Sequence, residues 1–187
     1  MYNSGSIKVK TAPTTNCISV EQLKAHLRVD FSDEDTLIAD IIAAAELFVQ
    51  KQSGRYLMPQ TVIQANDDWQ DGYIELRGFP FREMTAITYT DADGNAQTLS
   101  SQDYYVNDIR QPALIQVHTT LPVLQNRVGV VRIEYQVGYT NASDVPANIK
   151  QAILHLAADM YERREARVLE KDTTVEYLLN FDRYREL

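Results

Sequence analysis

The side chains that most often perform catalysis are few in this sequence and lie far apart. Its three histidines are His26, His118 and His155, and each falls in a different predicted element. The single cysteine, Cys17, has no nearby histidine that would favour the thiolate form of a nucleophile. His155 stands one helical turn before Asp159, which is the spacing of an ordinary surface pair. These residues indicate structural or solvent-exposed roles rather than catalysis.

Carboxylates lie close to an aromatic side chain at one place in the chain. Asp67, Asp68 and Asp71 surround the only tryptophan, Trp69. Glycoside hydrolysis uses two carboxyl groups, so a carbohydrate-active β-domain protein with Asp68 and Asp71 as the working pair is one alternative function. A solvated acidic loop explains the same residues with fewer assumptions, and we favour that interpretation.

The patterns of metal, phosphate and cofactor sites are absent from the sequence. There is no HExxH motif and no Cys/His spacing for zinc, and the glycines are scattered singly. The segment from Asp91 to Gly94 resembles the start of a calcium loop, but its glycine comes too early and Gln102 stands where the loop needs a glutamate. A hairpin turn accounts for it better. We therefore expect no catalytic, metal-binding or cofactor-binding residues and no enzymatic activity.

Composition places the chain among acidic, disulfide-free globular proteins. It has 187 residues, one cysteine and a net charge of −8. No third of the chain is basic, whereas proteins that grip nucleic acid usually present a basic face. A packaging-associated factor that binds duplex DNA is therefore a second, weaker alternative. No run approaches the ~18 apolar residues of a membrane helix, so we expect no membrane partner.

Helical periodicity marks both ends of the chain. The order from Ser19 to Gln22 is a capping box that predicts the start of helix one. Ser32 is the expected N-cap of a longer helix two, which Gly54 is well placed to end. Helix three is predicted to start near Pro146, because proline suits the first helical turn.

Between helices two and three the apolar period becomes two, which predicts an antiparallel β block. The expected strands are 61–65, 73–77, 85–90, 104–107, 114–118 and 130–137. The fold class is therefore α+β: a helical bundle of two N-terminal helices and a long C-terminal helix, with the β block inserted at about residues 56–139. We expect a flexible arm over residues 1–17, a single domain over residues 18–168, and a C-terminal tail over residues 169–187.

Two segments carry apolar or small side chains that no predicted element covers. The outer face of helix two carries Ala39, Ala43, Ala44 and Leu47. Such a face permits close approach of a second surface, or it simply reflects good helix propensity. The tail has large apolar residues on a segment too short to be stable alone, so it either folds back or docks on a partner.

The order of motifs resembles the head–tail connector family of tailed bacteriophages and prophages, also called adaptor or head-completion proteins. The resemblance runs from about residue 18 to residue 166. The segments that carry it are Ile18–Asp30, Ser32–Asp35, Ser53–Leu57, Tyr89–Gly94, Val137–Tyr139, Val145–Leu154 and Tyr161–Glu165.

This resemblance implies a structural adaptor in the virion, at the head–tail interface, assembled in the bacterial host cytoplasm. It implies a homo-oligomeric ring of about a dozen copies that joins the portal protein to the next neck or tail-completion protein. The ring would extend the DNA exit channel without binding DNA specifically. The helix-two residues named above would then form the protomer interface. The residues expected to dock on the portal are Tyr177, Leu178, Leu179, Phe181, Tyr184 and Arg185.

Overall fold

The computed structural model describes residues 5–163 and 173–180, and it combines α-helices with antiparallel sheets. The helices are α1 Val20–Leu27, α2 Asp35–Ser53, α3 Ala147–Glu162 and α4 Thr173–Asn180. The strands are β1 Ser6–Thr11, β2 Gln60–Asn66, β3 Tyr73–Glu75, β4 Phe81–Thr90, β5 Ala96–Thr98, β6 Tyr104–Asn107, β7 Leu114–Val117 and β8 Val131–Val137. The α+β class is therefore confirmed. Contacts divide the chain into a β unit and a helical unit.

The β unit comprises the described residues up to 13 and residues 59–138. It holds a five-stranded sheet in the order β1-β2-β8-β4-β5 and a three-stranded sheet in the order β3-β7-β6. Strand β8 lies at the centre of the larger sheet, and its alternate residues from Val131 to Val137 are buried. This alternation buries one face of the strand and was visible in the sequence. The division into two sheets was not, because pairing partners are set by long-range contacts.

The expectation of a flexible arm over residues 1–17 is wrong for the part that the structure describes. Residues Ser6–Thr11 form β1, which pairs with β2 in antiparallel register, as in Lys8 opposite Ile63. Lys10 also forms an ion pair with Glu134 at 2.8 Å. An edge strand leaves most of its side chains exposed, so its sequence lacks the alternation that reveals a half-buried strand.

A buried glutamine joins strand β2 to the chain that leaves β3. The side-chain oxygen of Gln64 accepts hydrogen bonds from the backbone N–H of Arg77 at 2.9 Å and from the Tyr135 hydroxyl at 3.1 Å. Its side-chain nitrogen donates to the Glu75 carbonyl at 2.9 Å. Buried polar groups are costly unless they are paired, so this network specifies how the two segments align.

The helical unit comprises residues 14–58 and the described residues from 139 onward. Within it, α2 packs against α1, α3 and α4, and α3 also packs against α1 and α4. Its core contains apolar side chains from all four helices, among them Leu23, Ile38, Ile42, Val49, Ile153, Leu156, Val175 and Leu179.

The helix ends agree with the sequence signals except at the start of α2. The capping box of α1 is formed, since the Ser19 hydroxyl accepts from the Gln22 N–H at 3.2 Å and Gln22 accepts from the Ser19 N–H at 2.9 Å. Gly54 ends α2 in a left-handed conformation with φ 70°. Ser32, the expected cap of α2, instead accepts from the Asp35 N–H through its carbonyl, and Glu34 is the cap residue. Residues 33 and 34 therefore form a turn, and α2 begins at Asp35 rather than directly after Ser32 as the sequence predicted.

Candidate interaction surfaces

The fold brings two of the three histidines together. The rings of His26 on α1 and His155 on α3 meet edge to face, with centroids 5.5 Å apart, and both side chains are exposed. His118 instead stacks on Tyr105 at 4.4 Å. Asp159 pairs with Arg163 at 2.8 Å, and the ion pairs among the described residues do not include the expected one with His155. Within the described residues, no group of three or more His, Cys, Asp or Glu side chains is placed to hold a metal ion.

The acidic loop around Trp69 is built as a structural turn. The tryptophan is only 5% exposed, and its ring nitrogen donates to the Pro122 carbonyl at 2.9 Å. Asp68 accepts from the N–H of Gln70 at 2.9 Å, and Asp67 accepts from the N–H of Gly129 at 2.6 Å. A buried indole offers no face for a sugar ring to stack on. The aromatic stacking surface that the carbohydrate interpretation of Asp68 and Asp71 requires is therefore not exposed.

A buried carboxylate positions the chain that enters α1. One oxygen of Glu46, on α2, accepts hydrogen bonds from the backbone N–H groups of Cys17 at 2.7 Å and Ile18 at 3.0 Å. Burial raises the pKa of Glu46, although these hydrogen bonds oppose the rise. Burial, followed by the charge of Glu46, raises the pKa of the Cys17 thiol. Both groups are internal, and they serve the packing of α1 on α2.

The exposed face of α2 is the sequence-predicted protomer interface. Ala43, Ala44 and Leu47 are exposed there, whereas Ala39 lies half-buried at the flank. Leu47 has 51% of its surface exposed, and Leu37 on the same face has 41%. The exposed positions recur at three- and four-residue spacing, opposite the buried stripe from Ile38 to Val49. Apart from Asp40, the exposed residues from Leu37 to Leu47 are apolar, which is unusual for the solvent side of a helix.

A groove runs between α1 and α3 on the helical unit. It encloses about 420 Å³, and most of its exposed lining is apolar. The residues lining it include Ile18, Ala25, His26, Lys150, Gln151 and Leu154. The sequence did not reveal this groove, because its two walls come from helices on opposite sides of the β insertion.

The structure places the tail only in part. Tyr177 is 64% exposed and Leu178 is half-buried, whereas Leu179 is only 4% exposed within the helical core. The Leu178 carbonyl accepts a hydrogen bond from the Asn148 side chain at 2.9 Å. The remaining predicted docking residues, Phe181, Tyr184 and Arg185, lie outside the described residues. Helix α4 therefore folds back on its own unit, and Leu179 is a core residue rather than a surface contact.

A row of exposed side chains on the small sheet was missed by sequence reasoning. Tyr73 on β3 and Tyr105 on β6 both lie opposite Gln116 on β7, so the three share one face. The Gln116 side chain donates to the Tyr73 hydroxyl at 3.1 Å. Only the strand register brings these residues together.

No helix in the described part of the chain is long and apolar enough to cross a membrane.

Solved structures with the same fold come from the particle of a gene transfer agent (GTA). A chain of the virion of the native particle aligns with a TM-score of 0.81 and 22% identity, over 97% of this chain and 96% of that chain. A chain in the neck of the empty particle, computed with C6 symmetry, gives 0.80 and 20% over 97% of both chains. A chain in the neck of the native particle, computed with C12 symmetry, gives 0.78 and 21% over 97% of both.

The sequence itself also matches a family model. No curated protein is similar enough to count as a relative. The model described as phage gp6-like head-tail connector protein, however, matches residues 17–111 and again residues 98–186. Together these matches span residues 17–186, which include the capping box of α1, every strand except β1, and α3. The chain belongs to the phage gp6-like head–tail connector family.

Proposed function

We propose that this protein is a structural adaptor at the neck of a tailed phage, a prophage or a phage-derived particle. The observation that carries the proposal is the match to the connector family over residues 17–186. The same fold in the necks of GTA particles supports it. The adaptor assembles with the head in the host cytoplasm and stays in the virion, where it joins the portal protein to the next neck or tail-completion protein.

The adaptor acts as a closed ring of identical copies. The neck structures that share its fold were computed with C6 and C12 symmetry, which supports a ring of about a dozen copies here. A cyclic ring needs heterologous contacts, in which two different faces of each protomer meet. The outward face of α2, with Ala39 at its flank and Ala43, Ala44 and Leu47 along it, supplies one such face.

The ring extends the DNA exit channel without gripping the DNA. Phosphate contacts depend on Lys and Arg, and this chain has 18 of these residues against 26 Asp and Glu. A net charge of −8 per copy opposes tight binding of duplex DNA, which favours free passage. The charge balance therefore disfavours a DNA-binding packaging factor. The burial of Trp69 likewise disfavours a carbohydrate-active protein.

The tail reaches the portal through the side of α4 that faces solvent. Tyr177 is exposed and Leu178 half-exposed, and the chain beyond residue 180 adds Phe181, Tyr184 and Arg185. Leu179 is not part of this contact, because its side chain is buried against the helical unit.

Co-purification with the purified portal protein tests the proposal. Size-exclusion chromatography with light scattering should show a complex whose mass exceeds that of the portal by a whole ring of adaptor copies. A 187-residue chain that elutes as a monomer and leaves the portal's mass unchanged would contradict the adaptor role. Rings that form only on the portal agree with it, because the portal then acts as a template.

A further inference from the structure

The outward face of α2 has the properties of a surface that inserts into a groove. Leu37 and Leu47 project from it, and the small side chains of Ala43 and Ala44 lie between them. Asp40 is exposed in the middle of this stretch, and Lys51 lies beyond it near the end of the helix. No ion pair within the described residues engages Asp40. The face is therefore an apolar ridge with one negative charge near its centre.

The groove between α1 and α3 has complementary properties. Ile18, Ala25 and Leu154 provide apolar lining in a space of about 420 Å³, which is large enough for a few side chains. The charged or titratable groups in its lining are Lys150 and His26. The Lys150 ammonium group donates to the Ala142 carbonyl at 3.3 Å, which holds it beside the groove. The Asp40 carboxylate on the ridge is thus complementary in charge to the Lys150 ammonium group in the groove.

The ridge and the groove belong to different faces of the helical unit. Helices α1, α2 and α3 all pack against one another. The groove is lined by α1, by α3 and by Ile18 just before α1, and no residue of α2 lines it. The ridge points away from α1 and α3, because its residues lie opposite the buried stripe of α2. One copy therefore cannot insert its own ridge into its own groove.

We infer that the α2 ridge of one copy inserts into the α1–α3 groove of the next copy. Leu47 and Leu37 pack against the apolar lining, and Asp40 approaches Lys150. The contact is heterologous, because its two halves are different surfaces of the helical unit, and such contacts close into a ring when the rotation between neighbouring copies allows it. The inference rests on the proposed ring and adds which two surfaces form it.

Cysteine cross-linking tests this contact directly. Ala25 in the groove and Leu47 on the ridge are both exposed, so cysteines there should leave the fold intact. The native Cys17 is buried, so the unmodified chain should not react and serves as the background control. A short bismaleimide should convert a double variant, A25C with L47C, into a ladder of covalent multimers up to the closed ring. Each single variant should remain uncross-linked, because every new cysteine then faces an unmodified residue.

The outcomes separate this inference from the proposed ring itself. Rings that form with no ladder in the double variant would overturn the ridge-and-groove contact and leave the ring in place. Dimers from L47C alone would also overturn it, because they require two ridges to meet. If the chain forms no oligomer, alone or with the portal, both the ring and this contact fail.

A charge variant provides a second test of the same contact. Asp40→Lys should weaken ring assembly several-fold, because it places a second cation against Lys150 and His26. Asp30→Lys makes the same charge change at an exposed position outside α2 and should leave assembly unchanged. Equal assembly of the two variants would contradict the pairing of Asp40 with the groove.

Discussion

The two side chains Leu179 and Tyr177 provide a matched test of whether the tail folds back. Both lie on α4, but Leu179 is 4% exposed and Tyr177 is 64% exposed. Replacing a buried leucine by alanine typically costs about 2–5 kcal/mol, from lost transfer free energy and from the cavity left behind. Leu179→Ala should fall in this range, whereas Tyr177→Ala should stay within about 0.5 kcal/mol, as expected of a surface position.

Urea unfolding followed by far-ultraviolet circular dichroism measures this difference, because the helical signal comes mainly from the unit that contains α4. Leu179→Ala should therefore lower the free energy of unfolding of the helical unit by about 2–5 kcal/mol, and Tyr177→Ala by no more than about 0.5 kcal/mol. The only tryptophan, Trp69, lies in the β unit and reports the unfolding of that unit separately.

The opposite pattern should hold for binding to the portal. Tyr177→Ala should weaken attachment while changing stability little, because most of its surface is exposed to solvent. If Leu179→Ala unfolds like the unmodified chain, α4 is not part of the core and the burial argument fails. If Tyr177→Ala binds the portal normally, the exposed side of α4 is not a docking surface.

Three further predictions follow from the exposed ridge and the buried Cys17–Glu46 contact. Leu47→Asp should abolish ring assembly, measured by sedimentation, without changing the melting temperature. Val128→Asp, which also replaces an exposed apolar side chain by aspartate but lies in the β unit, should still assemble. Equal assembly of the two variants would contradict a role of the ridge in the ring. Burial raises the pKa of Glu46 above its ordinary value of 4.5. The Glu46 side chain therefore keeps its proton in the folded chain at pH values where it has lost it in the unfolded chain. The free energy of unfolding should then fall as the pH rises above 4.5. Glu46→Gln should flatten that part of the stability curve, and an unchanged slope would refute the assignment. Burial also raises the pKa of Cys17, so alkylation at pH 8 should proceed only as fast as the helical unit opens; immediate labelling measured by mass spectrometry would contradict its burial.

Local signals predicted a large part of this fold. The capping box from Ser19 to Gln22, Gly54 after α2 and the alternation from Val131 to Val137 each depend on near neighbours, and each is formed as predicted. The turn from Asp91 to Gly94 is formed as well, with the Asp91 carboxylate accepting from the N–H groups of Asp93 and Asn95.

The features that the sequence did not reveal depend on distant parts of the chain. Strand β1 exists because β2 offers it an edge, and its own exposed residues carry no signal. The meeting of His26 with His155 and the groove beside them require α1 and α3 to pack together across the β insertion. The sequence left open whether the tail folds back or docks, and the core positions of Val175 and Leu179 show that α4 folds back.

Electron microscopy of the purified chain, alone and mixed with the portal protein, shows directly whether this protein is a ring-forming adaptor. We expect closed rings of about a dozen copies, seated on the portal and coaxial with its channel. Particles that remain single in both samples, with the portal unoccupied, would contradict it.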